Sequence, residues 1–203
     1  MNIPLLYANV LRWNVSFCVP VPDNDYNQMV ALLEEEYNEY IHATSKEEQL
    51  DALGDMLVVT LGICARLVVM PTVIKKVIEL ANAGKQEIKV DMYIMTDVVN
   101  AIRGNYNQAQ ALSELVTILD CAITATGANT DDVVDKIMEH NWRKTWSAEE
   151  VKGLGPEYLV IEPLEGYVVK KAGKIQKPPS FKHPQGLTKL NPAYETATHG
   201  IDF

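Results

Sequence analysis

Apolar residues recur along the first two-thirds of the chain at spacings of three and four, the period of helices buried along one side. Over 26–43, Val30, Leu33, Tyr37 and Ile41 form one such stripe, and Asp23 or Asp25 can cap its start. Thr44 and Ser45 break the pattern. Ser45 with Glu48 three residues on makes a capping box, which opens a second helix running through DALGDMLVVTLGICARLVV to near Pro71. Four more helices are predicted: 72–83 closed by Gly84, 91–103 closed by Gly104, 108–126 closed by Gly127, and 130–145. In the last, Asp131 and Asp132 at the start and Arg143 and Lys144 at the end suit the helix dipole.

The period then changes. Residues 157–177 carry β-branched and aromatic residues around a turn at Ala172 and Gly173, which predicts a small β-hairpin. From Pro178 onward, Pro179, Pro184 and Pro192 predict an extended tail. At the other end, Pro4, Pro20 and Pro22 suggest that residues 1–24 are an irregular arm. The expected fold is therefore an all-α helical bundle over 25–146, preceded by the arm 1–24 and followed over 147–203 by a small C-terminal β-hairpin and tail. Matches at an offset of about 59 residues relate 26–85 to 85–144, as a decayed repeat would or as two amphipathic helical stretches do by coincidence. Ala52-Leu-Gly-Asp55 falls opposite Ala111-Leu-Ser-Glu114, Asn82 and Lys85 opposite Asn141 and Lys144, but Glu36 and Glu39 opposite Met95 and Val98. A tandem duplication would thus leave the acids in the first copy alone.

Composition narrows the class. With 47% hydrophobic and 22% charged residues the chain is of ordinary globular type. A net charge of −9 disfavours a phosphate backbone, so duplex nucleic acid is not an expected partner. The apolar run from Met56 to Met70 is interrupted by Gly62 and Arg66 and reads as a buried helix rather than a membrane span. Cys18, Cys64 and Cys121 form no paired pattern, and the N-terminus lacks the features of a signal peptide. A cytoplasmic protein, in host cytoplasm if phage-encoded, is expected.

Acidic residues supply the candidate chemistry. Glu35, Glu36 and Glu39 lie along the border of the first helix's apolar stripe, and Glu48, Asp51 and Asp55 share one face of the second. Past Asp55 that face continues into Val58, Val59 and Gly62, so the helix is expected to be covered on both sides. Carboxylates at a covered end repel one another unless protonated, paired with bases or bridged by metal. Hard oxygen ligands favour Mg²⁺ or Mn²⁺. Runs of glutamate are more often solvated surface, as Glu34 and Glu47 are expected to be. Glu48 has a structural explanation as the capping-box acid. Glu39-Tyr-Ile-His42 has the Glu-x-x-His form of di-iron bundles, but no second copy accompanies it.

Glu36-Tyr-Asn-Glu39 and Asp51-Ala-Leu-Gly-Asp55 resemble the ExxE and ExxD helices of the all-α nucleotide pyrophosphohydrolases, more closely the MazG-like and phosphoribosyl-ATP pyrophosphohydrolase-like members of phage type. His140-Asn-Trp-Arg-Lys144 is similar to their terminal N-x-x-K element, and Gly173-Lys-Ile-Gln-Lys177-Pro-Pro to a GK-x-x-KPP segment. The resemblance implies hydrolysis of nucleoside triphosphates between the α- and β-phosphates, with two or three Mg²⁺ or Mn²⁺ ions, in a homodimer or homotetramer. Glu36, Glu39 and Asp55 would be metal ligands. Ala52 stands where the pattern has a glutamate, so Asp51 would take its place, with Glu48 and Asp51 as an alternative register. Glu35 or Glu48 would accept a proton. Lys144, and with it Lys85, Arg143 or Lys177, would neutralise the leaving pyrophosphate, and Asn141 would contact the nucleotide. A helix C-terminal cation is the plain structural explanation of Lys144. For Trp142 and Trp146, core packing is favoured over base stacking. The resemblance also suggests dGTP or GTP as substrate. Two other readings stand beside it: a phosphoribosyl-ATP pyrophosphohydrolase, and a non-catalytic helical module that binds nucleotide or protein.

Overall fold

The structure, a computed structural model, describes residues 1–83, 90–162 and 166–182. Among them are seven helices, α1 (Ile3–Ser16), α2 (Tyr26–His42), α3 (Lys46–Arg66), α4 (Met70–Asn82), α5 (Met92–Gly104), α6 (Gln108–Ala125) and α7 (Thr130–Trp142). Three strands follow: β1 (Tyr158–Ile161), β2 (Val168–Lys171) and β3 (Lys174–Ile175). Gly84 and Lys85, and the tail from 183, lie outside the described residues.

α3 is the centre of the arrangement. Its start is the expected capping box: the Ser45 hydroxyl accepts from Glu48 N at 3.1 Å, while Glu48 Oε2 accepts from Ser45 N at 3.3 Å and from Thr44 N at 2.7 Å. Over 56–66 every residue except Val59 is buried, so the helix is covered on both faces as its sequence implied. α2 packs along one side, and α1, α6 and α7 along the others. α4 lies on α6, and α7 on α3.

Two prolines expected to break structure instead begin it. Residues 3–16 are a helix rather than part of an irregular arm, because Pro4 occupies the first turn of α1, where its missing N–H costs nothing, while 17–24 are irregular as expected. Asn2 caps that helix, and Ile3, Leu6 and Val10 are buried against the bundle. Pro71 likewise sits in the first turn of α4 rather than at the end of α3, which stops at Arg66. Elsewhere the helices fall within a few residues of the expected limits.

The C-terminal segment is a three-stranded antiparallel sheet, β1-β2-β3, one strand more than a simple hairpin. Ala172 and Gly173 join β2 to β3 with φ of 49° and 80°, the positive pair a two-residue hairpin needs. The sheet is tied to the helices at several points. Trp146 bridges to Tyr167 and its indole Nε1 donates to Gln176 O at 3.0 Å, while Lys170 Nζ donates to Cys18 O at 2.7 Å. Among the described residues no single helix is long and apolar enough to cross a membrane.

Gly54 decides how closely α7 approaches α3. A Cβ there would lie 2.9 Å from Val133 Cγ1 and would overlap Ile137 Cδ1, both on α7. Gly54→Val should therefore destabilise the protein by about 2–3 kcal/mol, the usual cost of overpacking a filled contact, read as a lowered urea midpoint at unchanged m-value.

Candidate functional site

The antiparallel pair α2–α3 forms the floor of a cavity of about 420 Å³, walled by α1 and α7 and roofed by the β2–β3 turn and the segment after it. Glu35, Glu36 and Glu39 reach it from α2, and Asp51 and Asp55 from α3. The i, i+4 spacing puts Asp51 and Asp55 on the same face, while Ala52 between them is buried in the core. A glutamate at 52 would thus point away from the cavity, and Asp51 is the residue that continues the acidic face. Further along α3 that face becomes Val58, Val59 and Gly62, then Arg66. One end of the cavity is acidic and its middle apolar.

The carboxylates repel one another across a partly dry space. Burial, then the charges of Asp55, Glu39 and Glu35, pushes Glu36 up to about 8, with the Lys144 ammonium opposing. Burial, then Asp55 and Glu39, pushes Asp51 up to about 7, with Lys177 opposing. Asp55 is pushed up to about 6 by burial, restrained by Lys144 and Lys177. Asp51 Oδ1 is buried with no hydrogen-bond partner among the described residues. Lys144 is half-buried, its ammonium held below the usual lysine range by burial and pulled back by Asp55 and Glu36. Lys177 and Lys174 come from the roof, and Lys174 Nζ pairs with Glu35 at 2.5 Å.

These residues fit a divalent cation in charge and donor type, since an oxygen-rich wall with an orphaned carboxylate oxygen is what Mg²⁺ or Mn²⁺ would relieve. Among the described residues, however, no three His, Cys, Asp or Glu side chains converge as a ready-made metal-binding group. The carboxylates stand as a charged wall, not a closed chelate.

The chain matches no protein-family model, no curated protein and no solved structure. The reading of the cavity rests on its own chemistry.

The structure gathers some of the expected residues and sets others apart. Glu36, Glu39, Asp51, Asp55, Glu35, Asn141, Lys144 and Lys177 line the cavity together. Glu48 does not: its carboxylate is taken up by Thr44 and Ser45 at the start of α3, so the capping explanation accounts for it. Arg143 is exposed and pairs with Glu139 one turn back, away from the cavity. Lys85 lies outside the described residues. Trp142 packs edge-on to Phe17 beneath the Arg12 guanidinium, and Trp146 anchors the sheet, so neither tryptophan faces the cavity. His42, of the Glu-x-x-His, bonds the Asn38 carbonyl on the surface at 2.8 Å.

Several other residues also line the cavity. Trp13 and Asn14 come from α1, the segment read as an arm, and Gln28 and Arg66 lie at the end far from the carboxylates. His140 lines the cavity, lowered from the usual histidine value by burial. The periodicity of α1 would have revealed Trp13 and Asn14 had Pro4 been taken as a helix start.

Proposed function

We propose that the protein is a metal-dependent nucleoside triphosphate pyrophosphohydrolase whose active site is this cavity. The observation that carries the reading is the set of four carboxylates, Glu36, Glu39, Asp51 and Asp55, lining one cavity together with Lys144 and Lys177. Such a pairing of acid and base suits a substrate that arrives with cations on one side and leaves a polyanion on the other. Bound Mg²⁺ or Mn²⁺ would supply charge neutralisation on the phosphates and an activated water. The acids of α2 and α3 would hold the ions, and the lysines would take the charge that grows on the departing pyrophosphate. The apolar stretch along Val58, Val59 and Gly62 offers room for the nucleoside beyond the phosphates. Glu35 is committed to Lys174, so its service as proton acceptor requires that pair to part.

The helix order supports a tandem duplication in which only the first set keeps its acids. The three-helix sets α2–α3–α4 and α5–α6–α7 follow the same order, α4 and α7 are both 13 residues long, and each of these crosses to the other set.

Pyrophosphate release from each NTP and dNTP, with Mg²⁺ or Mn²⁺, tests the activity. Release from at least one nucleotide, abolished by chelator, is expected; a folded protein that releases none would favour the binding-module reading. Phosphoribosyl-ATP belongs in the same panel. Lys144→Met should lower kcat by about 10²- to 10³-fold with a smaller change in KM, as for removal of one positioned charge at a developing anion. An unchanged kcat would reduce Lys144 to a helix-terminal cation.

A further inference from the structure

The end of the cavity remote from the acids carries a guanidinium and an amide that fix one another's orientation. Arg66 is buried, its side chain 5% exposed, and its guanidinium is held by Asp23, with Nε donating at 2.9 Å. Arg66 Nη2 also donates to Gln28 Oε1 at 2.8 Å. A guanidinium has no acceptor, so the amide oxygen of Gln28 must face it and Nε2 must face away. Gln28 therefore enters the cavity as a fixed hydrogen-bond donor. Among the described residues its Nε2 has no acceptor. The hairpin turn closes over it, Gly173 lying so near that a Cβ there would come within 2.7 Å of Gln28 Nε2.

A second amide stands nearby. Asn14 is 4% exposed, lines the same cavity, and its Nδ2 is buried without a partner among the described residues. It faces Gly62, where a Cβ would lie 3.6 Å from Nδ2, and Gly62 is one helical turn from Arg66. The buried Asn14 amide and the half-buried Gln28 amide thus both line the cavity along with the apolar stretch of α3. A buried donor such as Asn14 Nδ2 is satisfied in most proteins, and a ligand edge that offers acceptors would satisfy it and Gln28 Nε2 together.

We propose that this end of the cavity is a base-recognition subsite, in which Gln28, oriented by Arg66, donates to an exocyclic carbonyl of the base and Asn14 supplies a second contact. The subsite then takes oxo bases over amino bases: hypoxanthine and guanine over adenine, uracil and thymine over cytosine. An amino group at the same position would set N–H against N–H. The inference rests on the nucleotide reading above and adds the class of base.

Inosine and adenosine triphosphates differ at the six-position group and the proton it places on N1, so they isolate this effect. The test is calorimetric binding of their α,β-methylene analogues in Mg²⁺, beside pyrophosphate release from the parent nucleotides. The inosine analogue should bind about 30- to 100-fold more tightly, since an amino group facing the amide leaves both donors unpaired. In Gln28→Glu, which keeps the contact to Arg66 but loses the donor, the ratio should fall to within about threefold; Gln28→Met should do the same without added charge. A purely structural Gln28 would leave the ratio unchanged. Equal binding of the two analogues, or a preference kept in both folded variants, overturns the subsite. A preference without any pyrophosphate release keeps the subsite and removes the hydrolase reading. Release without preference removes only the subsite, and binding of neither analogue removes both.

Discussion

Glu36→Gln should abolish pyrophosphate release while raising the melting temperature of the metal-free protein at pH 8. The two effects have one cause. Glu36 stands among Glu35, Glu39 and Asp55 in a partly dry cavity, and its carboxyl is pushed up to about 8. Near neutral pH, folding must hold it protonated or pay to ionise it. The amide keeps the shape and removes the charge, which should add on the order of 2–4 kcal/mol at a pH where the carboxylate would be ionised in the unfolded chain. The same substitution removes a proposed metal ligand, so turnover should fall by at least about 10³-fold in the presence of Mg²⁺ or Mn²⁺. Thermal melts in chelator, paired with pyrophosphate assays, read both. A variant that loses stability, or one that turns over as fast as the parent, would remove Glu36 from the metal site. Asp55→Asn should act in the same two directions.

The second large effect is a dependence of stability on pH that a divalent cation reverses. Glu36, Asp51 and Asp55 are pushed up to about 8, about 7 and about 6, from ordinary values near 4. An acid raised in the folded state binds its proton more tightly there than in the unfolded chain. The stability this confers is complete below the unfolded values and is lost as pH climbs through the folded ones. The metal-free protein should therefore melt at progressively lower temperature between about pH 4 and pH 8. Cations bind the ionised forms, so millimolar Mg²⁺ or Mn²⁺ should do little at pH 5 and restore several degrees at pH 8. A profile that is flat in chelator, or one that metal does not alter at pH 8, would mean that these carboxylates are not forced together.

Much of the scaffold was legible because helices announce themselves by period and by caps. Ser45 with Glu48 fixed the start of α3, and Asp91 the start of α5, where its carboxylate accepts from Tyr93 and Ile94 N. The continuation of the acidic face of α3 into Val58, Val59 and Gly62 correctly implied cover on both sides. The pattern obscured the double meaning of proline. Pro4 and Pro71 are tolerated in a first helical turn, whereas a proline a few residues further into a helix would break it. The same residue type therefore marks a start or a stop according to the side on which the helix lies. Reading Pro4 as a break hid α1, and with it Trp13 and Asn14. Charge alone also could not separate Glu48, held by its own cap, from Asp51, which opens onto the cavity. Arg143 and Lys144 are neighbours in sequence, yet one pairs on the surface with Glu139 and the other faces Asp55. That difference is an angle about a helix end, which residue type does not encode.

Gly54 has a mechanical side as well as a steric one. It is the fulcrum on which α7 rests, through Val133 and Ile137. Lys144 lies roughly two turns beyond that point, a lever arm of about 10 Å. A tilt of about 5° about the fulcrum would swing the ammonium by about 1 Å, a displacement that can cost on the order of 100-fold in rate when a charge must meet its target. A side chain at 54 that the core absorbs without unfolding could thus leave every site residue in place in the sequence and still lower the proposed turnover, from a position outside the cavity lining.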